Sequence, residues 1–300
     1  MSSVTACCIE LPEGFRQGDL LAFHRRDAQQ LSELVDGDSL SKGLSWDGQP
    51  ACLTLRLKRG RAEASLAVDG ASGRDDSKQL ERMVRRMLGL TQQVEDFERM
   101  FCDHPEIGPL LARNKGLRVS LTPTPFEALA WAIVGQMISV SAAVSIRRRL
   151  IQAAGVRHAS GIWCFPDAGK VAALGKDTLL AAGFSQTKAH SLVTLCGLVA
   201  DEALPLGAWI DSPVEDEIRE RLLAVHGIGP WTVNYVLLRG FGLLDGSLHG
   251  DVAVRRNLQA LLGRAGKIGE NETKKWLAQF SPWRALVAAH LWAMNKADGY

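Results

Sequence analysis

The sequence predicts an α+β protein, in which a small domain with an antiparallel sheet and a helix precedes a mostly helical body. Residues 51–60 and 61–70, ACLTLRLKRG and RAEASLAVDG, alternate apolar and polar side chains around a Lys58-Arg59-Gly60 turn, which is typical of a β-hairpin. Residues 70–78, GASGRDDSK, form a break rich in Gly, Ser and Asp. Amphipathic patterns of helical period then continue to the end of the sequence. We predict domains at 1–88 and 89–300.

The helices are predicted from apolar periodicity together with proline entries, acidic first turns and glycine stops. The stretch 19–34, before the hairpin, has a helical period. After the break at 70–78 such patterns occupy residues 79–90, 94–113, 121–155, 181–200, 212–225, 251–263, 271–280 and 282–297. The uncharged run 128–146 has the length of a membrane span, but Gln136 and three serines interrupt it, so we interpret it as buried helix and expect no membrane association.

Composition excludes several classes of protein. The formal net charge is +2 and the sequence is 46% hydrophobic, so a large core is possible and charge gives no sign of nucleic-acid binding. None of the 6 cysteines forms a C-x-x-C pair, which argues against zinc and iron–sulfur sites. The first residues lack the basic and apolar regions of a signal peptide, so we expect a cytoplasmic protein with reduced thiols.

The stretch 222–240, LLAVHGIGPWTVNYVLLRG, reads as two helices joined by Gly227-Ile228-Gly229. Glycines permit positive φ and close approach of another backbone, and a helix start offers unpaired N–H groups, so this turn is suited to a phosphate diester. For the two glycines taken alone, an ordinary helix–turn–helix joint with a glycine C-cap is the better explanation. Asp251 follows a glycine and begins a further helix, and by itself it is first interpreted as a helix N-cap.

Together these segments resemble the helix-hairpin-helix (HhH-GPD) superfamily of DNA glycosylases. The resemblance includes residues 225–240 with 248–256, and it extends to TPFEALAWAIVGQMISVSAA at 124–143, GFSQTKAHSL at 183–192 and PWRALVAAHLW at 282–292. The mixed N-terminal region fits the 3-methyladenine DNA glycosylase II subgroup. The resemblance implies a body of two helical subdomains, with the helix-hairpin-helix at about 218–240 and a cleft for DNA and a flipped base.

The resemblance implies that Asp251 is the catalytic carboxylate. Breaking an N-glycosidic bond produces an oxocarbenium-like sugar, which a carboxylate stabilises while it orients water. Trp231 occupies the position where strand-cleaving members of the superfamily carry a nucleophilic lysine, so the resemblance implies a monofunctional enzyme. Trp231, Tyr235 and Trp292 match aromatic positions of the base pocket, although core packing at helical spacing also explains Trp231 and Tyr235.

Further residues are implied to contact DNA. Gln136 and Met137 match the turn that fills the space left by the flipped nucleotide, although a bend in a buried helix is the alternative. The phosphate-binding hairpin would consist of His226, Gly227, Ile228, Gly229 and Thr232. The backbone carbonyls of Leu223, Val225 and Gly227 match a site for Na⁺ or K⁺; we expect no required cofactor. Arg147, Arg148, Arg255 and Arg256 are expected to form a basic face for phosphates.

Three positions depart from the family pattern. His226 stands where the hairpin usually has proline, Gly250 replaces a second acidic residue, and Ala293 replaces an aromatic side chain. We therefore expect a base pocket of altered shape, with Asp251 as the sole candidate for the catalytic carboxylate.

The sequence thus predicts a monofunctional glycosylase that removes alkylated or otherwise damaged bases from double-stranded DNA. The predicted bases are of 3-methyladenine type, with 7-methylguanine and hypoxanthine as further candidates. A non-catalytic helix-hairpin-helix DNA-binding module and a bifunctional glycosylase/lyase for oxidised bases are the alternatives. We expect the protein to act as a monomer, associated with a bacterial nucleoid.

Overall fold

The computed structural model describes residues 3–70 and 76–294. The predicted break at 70–78 therefore lies partly outside the described residues, as does the end of the helical pattern at 282–297. Within the described residues, helices and strands follow the predicted order of a small mixed domain and then a helical body, so the α+β fold class is confirmed.

The N-terminal domain contains an antiparallel sheet with the strand order β1-β5-β4-β3-β2. Its described strands are β1 Ser3–Glu10, β2 Glu33–Asp36, β3 Ser39–Trp46, β4 Gln49–Lys58 and β5 Arg61–Val68. The predicted hairpin is confirmed, because Lys58 pairs with Arg61 across a turn in which Gly60 has φ +75°. Glycine adopts this left-handed conformation without the steric cost that a Cβ would bring.

The single helix predicted over residues 19–34 is wrong in its second half. Helix α1 spans Gln17–His24, and the chain then turns before it enters β2. The Asp27 carboxylate accepts hydrogen bonds from the amides of Gln29 at 3.0 Å and Leu31 at 3.4 Å. This local side-chain-to-backbone bonding competes with the helix, which a periodicity count does not register.

Helix α2, Asp76–Met87, packs against β1 and β5 and covers one face of the sheet. Leu53, Leu55 and Leu66 of the sheet are fully buried, and so are Leu80 and Val84 of α2. The apolar core of this domain extends to Leu88, and the core of the helical body begins at Val94. The domain ranges 1–88 and 89–300 stay predictions.

The body consists of helices whose contacts fall into two groups with a cleft between them. The first group contains α5 Pro125–Gly135, α6 Val140–Ala154, α7 Ala168–Ala181, α8 Gln186–Ala200, α9 Ala208–Asp211, α10 Glu215–Leu223, and α11 Pro230–Val236 with its π-helical extension Leu237–Phe241. The second contains α3 Val94–Phe101, α4 Gly108–Arg113, α12 Val252–Leu261, α13 Glu270–Ala278 and α14 Arg284–Trp292. Aromatic contacts join α3 to the C-terminal segment, with Phe97 6.0 Å from Trp283 between ring centroids.

Buried charges join the N-terminal domain to the body. Lys42 of β3 donates hydrogen bonds to Glu33 of β2 at 2.5 Å and to Glu127 of α5 at 2.8 Å. Arg147 of α6 contacts the same two carboxylates, with its Nη2 2.7 Å from Glu127 Oε1. We call Glu33, Lys42, Glu127 and Arg147 the interdomain charge cluster. Because each acid has two cationic neighbours, the burial of four charges is balanced.

The uncharged run at 128–146 is divided between α5 and α6 by a turn. None of the described helices is both long and apolar enough to cross a bilayer.

Candidate DNA-binding cleft and active site

The cleft lies between three segments of the body and one residue of the N-terminal domain, and its volume is about 1140 Å³. This exceeds the ~300–1,000 Å³ of a pocket for one small molecule, so the cleft suits an extended ligand. Its described lining consists of Arg26, residues 135–141 and Val144 from the α5–α6 region, Gly227 and residues 229–232 from the hairpin, and residues 250–253 with Arg256 from the start of α12.

Asp251 lies in the cleft and is also the N-cap of α12. Its Oδ1 accepts a hydrogen bond from the Val254 amide at 2.9 Å and another from Trp292 Nε1 at 3.2 Å. Its Oδ2 accepts one from Trp231 Nε1 at 2.9 Å. The residue is 5% exposed. The capping interpretation is therefore confirmed, but the carboxylate has further partners, because two indole N–H donors also fix its orientation.

The three aromatic candidates lie side by side. The ring centroids of Trp231 and Tyr235 are 5.5 Å apart, and those of Tyr235 and Trp292 are 6.4 Å apart. Trp231 lines the cleft and is half-buried, whereas Tyr235 and Trp292 are buried behind it and do not line it. The three aromatic residues predicted for the base pocket are therefore neighbours in the structure. Trp231 presents a surface to a ligand in the cleft, and Tyr235 and Trp292 support it from behind.

A buried cation lies behind this aromatic group. The guanidinium carbon of Arg239, in the π-helical extension of α11, is 5.7 Å from the Trp292 ring centroid. Its Nη1 donates to the Ser120 carbonyl at 2.8 Å. Burial is the main cause that lowers the pKa of Arg239 to about 10, so the residue stays charged at neutral pH.

The two hairpin glycines differ in backbone conformation and in packing. Gly227 has φ +83°, and a Cβ there would lie 2.1 Å from Ser191 Oγ on α8, so packing and conformation both require glycine. Gly229 has φ −101° and is the N-cap of α11. A Cβ on Gly229 would meet nothing within 4 Å, so packing inside the protein does not require glycine at this position. Ile228 between them is buried and anchors the turn.

His226 is exposed beside the hairpin. Its ring is 5.8 Å from that of His190 on α8, in an edge-to-face arrangement. The proline that usually stands here in the family is thus replaced by a side chain that contacts the neighbouring helix.

The turn between α5 and α6 is hydrogen-bonded to the hairpin. Gln136 Nε2 donates hydrogen bonds to the Gly227 carbonyl and to Thr232 Oγ1, both at 3.0 Å. The next residue, Met137, has φ +57° and is 99% exposed. A non-glycine residue in the left-handed region, with an apolar side chain fully in solvent, is unusual, and such residues are enriched at functional sites.

The carbonyls predicted to hold a monovalent cation already accept hydrogen bonds in part. The Val225 carbonyl accepts one from the Ile228 amide at 3.0 Å, and the Gly227 carbonyl accepts the one from Gln136. Each keeps one lone pair, and the cation site involving Leu223, Val225 and Gly227 stays a prediction. Across residues 3–70 and 76–294, no group of three or more His, Cys, Asp or Glu side chains is arranged to hold a metal ion.

The predicted basic face is wrong in two of its four residues. Arg147 is buried in the interdomain charge cluster. Arg148 forms a bidentate ion pair with Asp27, with Nη2 2.6 Å from Oδ1. Glu33, which Arg147 contacts, and Asp27, which Arg148 contacts, each lie more than a hundred residues away in sequence, so the basic run gives no sign of them. Arg255 pairs with Glu270 at 2.5 Å, and Arg256 lines the cleft as expected.

Two further departures lie at or near the site. Gly250 lines the cleft, and a Cβ there would meet nothing within 4 Å. Ala293 is the half-buried C-cap of α14, next to Trp292.

Of the lining residues that the sequence did not single out, Arg26 lies farthest along the chain from any predicted site residue. Arg26 follows α1 in the N-terminal domain, and no motif adjoins it. The separation of Arg26 from every other cleft residue in sequence left no local signal by which to find it.

The second helix of the helix-hairpin-helix carries a cleft-lining aromatic residue, and a buried aspartate follows at the start of the next helix. This is the architecture of helix-hairpin-helix DNA repair proteins. The family model described as "HhH-GPD superfamily base excision DNA repair protein" matches residues 130–282, just over half of the chain. The chain belongs to this family. The model of the AlkA N-terminal domain matches residues 11–122.

Individual relatives agree with this assignment. The chain is 29% identical over 188 residues to DNA-3-methyladenine glycosylase 2 of Escherichia coli, an alignment that covers 62% of this chain and 63% of that relative. It is similar in structure to a 3-methyladenine DNA glycosylase from Archaeoglobus fulgidus, with a TM-score of 0.79, 21% identity, and coverage of 95% of this chain and 97% of the other. A 3-methyladenine DNA glycosylase of Schizosaccharomyces pombe, solved with abasic DNA, gives a TM-score of 0.58 at 22% identity, covering 68% of this chain and 98% of the other.

Proposed function

We propose that the protein is a monofunctional DNA glycosylase of base excision repair. It flips an alkylated or otherwise damaged base out of duplex DNA and hydrolyses the N-glycosidic bond. The observation that carries the proposal is the Asp251 carboxylate, buried in a DNA-sized cleft beside the hairpin with both oxygens held by indole N–H groups. A protein that only binds a polyanion gains nothing from a fixed carboxylate in its binding cleft.

Asp251 would act on the sugar. As the bond from C1′ to the base nitrogen breaks, positive charge develops on the sugar ring, and a carboxylate in a water-poor site stabilises it. The hydrogen bonds from Trp231 and Trp292 hold the carboxylate in one orientation, so little reorganisation accompanies the reaction. The carboxylate also orients the water that attacks C1′. Because Trp231 has no amine, it cannot form a Schiff base with the sugar, and no lysine is among the described residues that line the cleft.

The remaining candidates would hold the DNA. Met137 would enter the space left by the flipped nucleotide, with Gln136 bracing its turn against the hairpin. The amides of the hairpin would bind a phosphate, with Na⁺ or K⁺ at the carbonyls of Leu223, Val225 and Gly227 as a bridge. The proposal includes action as a monomer in the bacterial cytoplasm, at the nucleoid.

The test is single-turnover base release from a duplex with one damaged base. We expect wild-type protein to release the base, and the product strand to break only after heat or alkali. Asp251→Asn should lose release by about 100-fold or more and still bind the duplex. The matched control is Asp167→Asn: Asp167 also caps a helix, with Oδ1 accepting from the Lys170 amide at 2.8 Å and Oδ2 from Ser45 at 2.8 Å.

The outcomes separate the alternatives. Release by Asp251→Asn at the wild-type rate would refute the assignment. Tight duplex binding by the wild type without release of any damaged base would favour the non-catalytic module. Strand cleavage without alkali, with a borohydride-trapped adduct, would favour a glycosylase/lyase.

A further inference from the structure

Arg26 is the contribution of the N-terminal domain to the cleft. It is half-buried and lies two residues beyond the end of α1, and it lines the same cleft as Asp251 and Trp231. Its Nε donates a hydrogen bond to the Phe23 carbonyl at 2.7 Å. Its two terminal amino groups donate none to any described residue. These donors lie at the wall of the cleft, where a bound ligand can accept hydrogen bonds from them.

The guanidinium is held in place by aromatic rings. Its carbon is 4.0 Å from the Phe23 ring centroid and 4.6 Å from the Trp131 ring centroid. A guanidinium stacked on aromatic faces keeps its N–H groups directed along its edge, where they can donate two parallel hydrogen bonds. Arg26 is therefore an oriented donor pair and not a mobile surface charge.

A contact chain connects Arg26 to the catalytic region. The Phe23 ring also contacts Arg239, whose guanidinium carbon is 4.6 Å from the same ring centroid. Arg239 in turn contacts Trp292, which donates to Asp251. Neither Arg26 nor Arg239 forms an ion pair with a described carboxylate. Asp251 is the one acidic side chain among the described lining residues of the cleft.

This charge distribution discriminates between damaged bases. An N-alkylated purine such as 7-methylguanine carries a fixed positive charge, which the Arg26 guanidinium in the cleft opposes. Hypoxanthine is neutral and presents the O6 and N7 acceptors that an arginine binds as a pair. Methylation of N7 removes one of these acceptors and adds the positive charge. Both effects weaken the interaction of the base with Arg26.

We propose that Arg26 is a specificity residue that favours neutral damaged purines with free O6 and N7 acceptors over N-alkylated bases with a fixed positive charge. The inference rests on the proposed glycosylase function and names the substrate class of the same site. It assigns to the N-terminal domain a part in choosing the base.

The experiment compares two duplexes that differ only in the damaged base, hypoxanthine or 7-methylguanine. Single-turnover release rates are measured for the wild type, Arg26→Ala and Arg26→Lys. Arg26→Ala should slow hypoxanthine release about 10-fold or more and leave 7-methylguanine release unchanged or faster. Arg26→Lys keeps the charge without the paired donors, so it should slow hypoxanthine release and keep the wild-type rate for 7-methylguanine.

Arg25→Ala is the matched control, because Arg25 is the exposed neighbour and its guanidinium donates to the Gly37 carbonyl, at 3.3 Å, outside the cleft lining. It should change neither rate. An equal loss of both activities in Arg26→Ala would mean that Arg26 merely supports Phe23 and Trp131, and would overturn the inference while leaving the proposed function intact. Release of neither base by the wild type, when other damaged bases are released, would also overturn it. Release of no damaged base at all would overturn the proposed function and this inference together.

Discussion

Replacement of Lys42 by methionine tests the interdomain charge cluster. Lys42 is fully buried and is the shared donor to Glu33 and Glu127. Methionine has a similar length and no charge, so Lys42→Met leaves two buried carboxylates with Arg147 as their remaining close cation. Removing one partner of a buried ion pair costs about 3–5 kcal/mol, because the other partner stays buried without compensation. This is a large part of the ~5–15 kcal/mol that separates folded from unfolded protein.

The same replacement should shift the acid limit of stability. Burial by itself would raise the pKa of Glu33, but the charges of Arg147 and Lys42 hold it well below its usual value. The pKa of Glu127 is lowered against the effect of burial by the same two cations. Groups with depressed folded-state pKa values contribute stability that is complete above the unfolded-state pKa of about 4.3 and is lost as pH falls through the folded-state values. Without Lys42 both pKa values rise, so acid unfolding should begin at higher pH.

The assay is urea unfolding at pH 7 and acid unfolding followed by far-ultraviolet circular dichroism. The control is Lys58→Met, because Lys58 is 49% exposed and pairs with Glu63 at the surface, 2.7 Å away. We expect the control to unfold like the wild type. The reasoning would be refuted if Lys42→Met cost less than about 1 kcal/mol and left the acid midpoint unchanged.

Three further predictions concern the cleft. Gly229→Asp should fold normally, because its Cβ enters open space, but it should weaken binding of damaged and undamaged duplex roughly 10-fold or more through repulsion of phosphate. Met137→Ala should change the free energy of unfolding by less than about 0.5 kcal/mol, because the side chain is fully exposed, and slow base release roughly 10-fold in single-turnover assays. Trp231→Phe keeps an aromatic ring but removes the donor to Asp251, a bond worth about 1.5–3 kcal/mol, so release should slow about 10- to 100-fold with duplex binding retained.

Each of these predictions has a matched control. Gly229→Asn has nearly the shape of the aspartate variant without its charge, and equal weakening by both would argue against phosphate repulsion. Met100→Ala removes another exposed methionine, on α3 outside the cleft, and should leave base release unchanged. Trp276→Phe removes an indole donor to a different carboxylate, 2.7 Å away. Slower release in this variant would show that the effect at Trp231 is not specific to the cleft.

Features encoded by neighbouring residues were predictable from sequence. The turn at Gly60, the cap at Asp251 and the conformation of Gly227 each depend on a few adjacent positions, and the structure has all three. Local chemistry determines such features because the competing conformations differ within a single turn of the chain. The turn at Gln136-Met137 is different, because the family resemblance implied it while periodicity indicated one helical stretch over 121–155, which the structure divides into α5 and α6.

Features that depend on distant partners were not predictable. Glu33 was assigned to a helix, but it lies in a strand that brings it to Lys42 and Arg147. Arg147 stands in a run of three arginines that has the composition of a solvated face, and only the fold brings acids to it. Arg26 reaches the cleft through a contact between domains. In each case the deciding interaction is a charge or donor satisfied across the tertiary structure, on which periodicity carries no information.

The four residues of the interdomain charge cluster are synthesised at different times during translation. Glu33 and Lys42 leave the ribosome early and can pair with each other, but Glu127 and Arg147 are synthesised much later. Until α6 has emerged, the nascent N-terminal domain presents its pair of charges to water and not to a dry interface. Domains fold as units from the N-terminus during translation, so the sheet can form early while its docking waits for the body. Docking of the N-terminal domain on the body then brings Arg26 to the cleft, so the binding site is completed late in translation.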